Sequence, residues 1–116
     1  MKLVQNVWVI MDKHKKAIAC GVPRNREMKM FEDCNSRILT YQSEKKAIAG
    51  FTSSGFYDRT KREDTGDEHW GRSYLDETYG EPVEFIGYDK KKHTRYEWNY
   101  KDICVAVKAE IIIEVE

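Results

Sequence analysis

Charge of one sign is what this chain most plainly lacks. Twenty Lys and Arg balance twenty Asp and Glu, for a formal net charge of +0 at pH 7. That balance excludes whole-surface attraction to nucleic acid or an anionic membrane and leaves only local patches for such work. Cysteine is scarce as well. Cys20, Cys34 and Cys104 are odd in number and far apart, which fits a reducing, cytoplasmic setting better than a secreted disulfide framework. They form no CxxC or CxxH pair, so no zinc site is indicated. Long hydrophobic runs are missing. The apolar stretch after Lys2 gives way at Asp12 and Lys13, so neither a signal sequence nor a membrane-spanning helix is expected. There is no GxSxG elbow and no Gly-rich phosphate loop. The segment GFTSSGF closes a helix and presents carbonyls, not N–H groups, to an anion. No cofactor is implied, and no residue is assigned a catalytic role.

What is present describes one globular domain, residues 1–116, in which 41% hydrophobic and 34% charged residues are mixed. A chain of this length buries roughly two-thirds of the surface its unfolded form exposes, enough for a single core. Aromatics make up 12%, with seven Tyr and three Trp, more than a small interior holds. Some are therefore expected on the surface as contact sites.

The pattern along the chain is mostly of period two. Residues 3–11 are apolar on both faces, Val7, Val9 and Met11 on one and Trp8 and Ile10 on the other, so this strand is expected to be covered on both sides. Residues 12–16 form a polar loop, and residues 17–22 return as the second strand of a hairpin. Residues 24–37 fit either a short strand or one helical turn. Ile38, Leu39 and Tyr41 then suit a strand that leads into a helix capped by Ser43. Ala47, Ile48 and Phe51 form its apolar stripe, and Gly55 with Phe56 gives a Schellman stop. A second hairpin is expected from residues 83–88 and 94–100, with Thr94, Tyr96, Trp98 and Tyr100 sharing a face. Residues 103–115 alternate as a long C-terminal strand, Ile103 to Val115 on the odd positions against Lys108, Glu110, Glu114 and Glu116 on the even ones. The expected fold is α+β: an antiparallel sheet of five to seven strands, from two hairpins and the C-terminal strand, with one short helix packed on one face.

Three surfaces are candidates for function. Residues 57–80 read as a long polar loop. Within it Arg59, Arg62 and Arg72 lie among Trp70, Tyr74 and Tyr79, the residue types that dominate interface hot spots. An alternative is a nucleic-acid face on the second hairpin, from Lys90, Lys91, Lys92 and Arg95 beside Tyr96, since cations next to aromatics track and stack single strands. A further alternative is a metal-dependent phosphodiesterase or nuclease centred on Asp64, Asp67, Glu68 and His69. His14 and His93 sit in Lys-rich loops and read as solvated polar residues.

The hairpin WVIMDKHKKAIACGV and the strand–helix RILTYQSEKKAIAGF resemble small accessory proteins of bacteriophages and prophages over residues 7–56. The resemblance implies a protein that acts by binding a host protein, including components of antiviral defence such as CRISPR effectors, and carries over no site residue. The residue types in 57–80 lead to the expectation of a non-catalytic binding protein. A second copy of the chain, paired through an exposed strand edge, is a further candidate partner.

Overall fold

A computed structural model describes residues 1–22, 26–35, 37–52 and 74–116. The fold is α+β and antiparallel, as the patterning predicts. Strand β1 (Lys2–Asp12) is its axis. It pairs along its whole length with β7 (Cys104–Glu114), from Lys2 opposite Glu114 to Asp12 opposite Cys104. On its other edge it meets β2 (Ala17–Cys20) at Met11 and β4 (Thr40–Tyr41) at Trp8 and Val9. Strand β3 (Glu27–Met30) lies outside β2. A separate two-stranded sheet joins β5 (Glu81–Ile86) to β6 (Lys92–Glu97).

The double-sided apolar pattern of β1 has the expected consequence only from Val7 onward, since Leu3, Val4, Gln5 and Asn6 are exposed and the strand is not covered there. Ile10 is buried with Ala47 and Phe51 of the helix α1 (Glu44–Thr52), with Leu75 of α2 (Tyr74–Tyr79) and with Ile103 of α3 (Tyr100–Ile103). On the opposite face Val7 and Val9 pack with Ile18, Cys34, Ile38, Val107, Ala109 and Ile111. Residues 24–37 hold both of the forms the sequence allows in their described part, since β3 runs straight into a 3-10 turn at Phe31–Asp33.

Ser43 starts α1 as expected, its hydroxyl accepting from the Lys46 N–H at 3.2 Å. The buried stripe differs from the expected one. Ile48 is 41% exposed, and Gly50 takes the inward place beside Ala47 and Phe51. The Tyr41 ring lies so close that a Cβ at Gly50 would come within 2.7 Å of its hydroxyl oxygen. Arg26 Nη1 donates to the Gly50 carbonyl, setting a cation at the negative end of the helix. The Gly55–Phe56 stop lies outside the described residues.

Three further expectations are corrected. Residues 74–79 are helical, so the polar segment does not stay a loop as far as residue 80. Strand β6 stops at Glu97 because Asn99 caps α3, its Oδ1 accepting from the Lys101 N–H at 2.9 Å. Trp98 therefore leaves the alternating face and is buried, and Tyr100 belongs to α3. Ile103 ends that helix, and the C-terminal strand begins at Cys104.

Candidate functional site

Among the described residues a polar cluster surrounds Asp12, a side chain with no exposed surface at the end of β1. One carboxylate oxygen accepts the backbone N–H groups of Lys16 and Ala17, at 2.8 and 2.9 Å, and so ties the turn into β2. The other accepts the hydroxyls of Tyr74 at 2.9 Å and Tyr79 at 2.8 Å, and so ties α2 to the sheet. Burial pushes the Asp12 carboxyl up, but the four donors outweigh it and hold the group below its ordinary value. The same burial and the Asp12 charge push both tyrosine hydroxyls up. With every strong acceptor position occupied, this carboxylate has no free lone pair for a substrate proton. Its chemistry is structural.

Tyr74 and Tyr79, expected to offer themselves to a partner, thus direct their hydroxyls inward. The Tyr79 ring also carries the stacked His14 ring at 5.5 Å and Lys13 Nζ at 5.4 Å. A second buried carboxylate, Asp76, accepts the Trp98 indole N–H at 2.8 Å, fixing α2 to the chain after β6. Sequence reasoning missed both carboxylates. For Asp12 a signal existed, a turn-forming aspartate ending an apolar strand. Its tyrosine partners are 62 and 67 residues away, beyond any local pattern. Arg59, Arg62, Trp70 and Arg72 lie outside the described residues, as do Asp64, Asp67, Glu68 and His69.

The second hairpin places the alternative nucleic-acid residues. Lys90 takes the left-handed turn position at φ 62, and the Lys91 N–H donates to Asp89 Oδ1 at 3.0 Å. Lys92 Nζ stands 2.9 Å from Glu84. Arg95 is opposite Val83, and the half-buried Tyr96 is opposite Pro82. His93 is not simply solvated. It packs beside Phe85, and its Nε2 lies 2.8 and 3.0 Å from the two Asp89 oxygens. That hydrogen bond holds the Asp89 carboxyl below its ordinary value. Glu81, Glu84 and Glu97 share the hairpin with its cations, so the local field is mixed in sign and weak for a phosphate chain.

Among the described residues, the outer part of the β1–β7 ribbon exposes apolar side chains. Leu3 faces Ile113 and Val4 faces Ile112 across the two strands. Neighbouring positions on a strand point to opposite faces, so each face carries one exposed apolar pair, with Val4 and Ile112 lying between the polar pairs Lys2–Glu114 and Asn6–Glu110. Exposures are 49% and 47% for the first pair and 57% and 59% for the second. The end is not frayed, since the Met1 carbonyl accepts the Val115 N–H at 2.8 Å and Lys2 Nζ stands 3.6 Å from Glu114. Among the described residues nothing pairs with β1 on its other edge before Trp8, and β7 pairs only with β1. The described structure extends 61 Å along its longest axis, with a radius of gyration of 16.5 Å, against about 13 Å for a compact domain of this length.

Among the described residues no group of three or more His, Cys, Asp or Glu is placed to hold a metal ion, and no helix is long and apolar enough to cross a membrane. Comparison of the chain with models of protein families, with curated proteins and with solved structures found no match.

Proposed function

We propose that the chain is a non-catalytic binding domain that engages a protein partner through the exposed apolar pairs of the β1–β7 ribbon. The observation that carries this is the exposure of two cross-strand apolar pairs, Leu3 with Ile113 and Val4 with Ile112, on a ribbon projecting from the core. Exposed apolar clusters on an ordered element mark interaction surfaces. Fully burying a Leu, Ile or Val yields roughly 1.5–3 kcal/mol, so covering the exposed halves of four yields roughly 3–6 kcal/mol, a useful share of a binding energy. The likeness of residues 7–56 to bacteriophage accessory proteins supports a finer proposal, that the partner is a host protein, with defence factors such as CRISPR effectors among the candidates.

The test is capture of the partner from a lysate of the native host, identified by mass spectrometry, with the wild-type chain and with Leu3→Lys/Ile113→Lys. Cross-strand pairs contribute roughly 0.2–1 kcal/mol each, so the variant should stay folded, with a fall in Tm of no more than about 8 °C. The expected result is loss of the captured protein. Equal recovery by the folded variant overturns the proposal.

A further inference from the structure

The edge of the same ribbon carries information that its faces do not. Strand β7 is eleven residues long with no proline or glycine, and among the described residues its outer edge is unpaired throughout. Monomeric proteins blunt such an edge with prolines, bulges or short strands. Strand β1 offers a poorer edge, free only before Trp8.

We infer that β7 pairs antiparallel with β7 of a second copy of this chain, about a two-fold axis at Ile111. The inference goes beyond partner binding by the faces, because it uses the backbone edge. A two-fold axis normal to the sheet makes each residue face one of the same parity, so the registers can be compared by charge. Centred on Ile111, Lys108 faces Glu114 of the second copy and Glu114 faces the second Lys108. Glu110 faces Ile112, Ala109 faces Ile113, and Val107 faces Val115. Both charged pairs are of opposite sign, and the odd-numbered apolar positions meet one another. Centred on Ile112, Glu110 would face Glu114 twice. Centred on Glu110, that residue would face itself. Like charges directly opposite destabilise a sheet. Centred on Ala109, Lys108 would face Glu110, but Glu114 would lie against Cys104 and the chain end would run into α3, which immediately precedes Cys104. Lys108 is exposed and has no ion pair among the described residues, so it is available. Glu114 would then lie between Lys2 of its own chain and Lys108 of the second.

Sedimentation equilibrium and light scattering on the full chain test this. The wild type is expected to rise from 13.7 kDa to twice that mass as concentration increases. Lys108→Glu alone and Glu114→Lys alone each set like charges opposite in both pairs, and each should weaken dimerisation about tenfold or more. An equimolar mixture of the two single variants restores opposite charges in both pairs, and its dimers should be as tight as those of the wild type. The double variant Lys108→Glu/Glu114→Lys should recover as well. A wild type that stays monomeric up to millimolar concentration overturns the inference. So does a dimer indifferent to both single variants, or a mixture no tighter than its components. A monomeric wild type that still loses its captured host protein on Leu3→Lys/Ile113→Lys would end the dimer and leave the binding function standing.

Discussion

The Tyr79 hydroxyl donates a 2.8 Å hydrogen bond to the carboxylate of Asp12, 67 residues earlier in the chain. Tyr74 gives a second bond to the same oxygen, so one buried aspartate joins the first hairpin to α2. Truncation to Asp12→Ala strands two hydroxyls and two backbone N–H groups. It should cost about 3–5 kcal/mol, a large part of a small domain's stability. Asp12→Asn keeps one acceptor oxygen and should cost less. Urea unfolding of the three proteins measures both values, and a loss under about 1 kcal/mol for Asp12→Ala would show that the cluster is not structural.

The same carboxylate gives a pH dependence of definite sign. Its folded pKa lies below the ordinary value, so its stabilisation is fully present above the unfolded pKa of about 3.9. It is lost as pH falls through the folded value. Asp12→Asn lacks this contribution. The stability gap between wild type and Asp12→Asn should therefore be constant near neutrality and shrink below about pH 4. Asp89 is also held below its ordinary value but is common to both proteins and cancels. A gap that widens in acid would contradict the assignment.

Tyr74→Phe and Tyr79→Phe separate anchoring from partner contact. Each removes one hydroxyl from the Asp12 oxygen and should cost about 1–2 kcal/mol. Because both bond to the same atom, the double variant should depart from the sum of the singles. The measurement is a double-mutant cycle by urea unfolding, with partner recovery measured alongside. Lower stability with undiminished recovery by the folded fraction is the expected outcome, and the reverse would return these rings to a binding role.

What the sequence made legible was local. The two apolar faces of β1, the Ser43 cap and the alternation of β7 from Lys108 onward each follow from spacing within a few residues. The helix α2 was hidden because YLDETY has few apolar residues, and its fixing contacts come from Asp12 and Trp98, both distant in sequence. Trp98 misled for a related reason. The alternation predicts that its ring shares a strand face with Thr94, Tyr96 and Tyr100, but the Asn99 cap ends the strand and Asp76 receives the indole. The projecting ribbon was legible as two strands. Its exposure was not, because alternation says which residues share a face and not whether anything covers it.

Cysteine reactivity should follow burial. Burial pushes the Cys20 thiol up to about 12, with the neighbouring Cys34 adding to the shift, and burial pushes Cys104 up to about 12 as well. Neither forms appreciable thiolate at pH 8, whereas Cys34 is only half-buried. Iodoacetamide should label the native protein at one site, Cys34, and all three thiols once it is unfolded in urea. Peptide mapping that finds Cys20 or Cys104 modified in the native state would show that these strands open readily.

Gly50 sets two effects of opposite sign against each other. In an exposed helix interior, Gly→Ala gains about 1 kcal/mol from backbone entropy and helix propensity. Here the added methyl carbon would meet three Tyr41 ring and hydroxyl atoms at 2.7, 2.8 and 2.9 Å, well inside van der Waals contact, and the ring must move. Overpacking of this kind costs about 1–3 kcal/mol, so Gly50→Ala should be destabilising on balance, by roughly 1 kcal/mol. Removing the obstacle reverses the sign. In a Tyr41→Ala background, itself destabilised by loss of the ring, Gly50→Ala should recover stability by about the helix-propensity gain. Thermal unfolding of the four proteins closes the cycle. Equal destabilisation by Gly50→Ala in both backgrounds would mean that Tyr41 is not what requires the glycine.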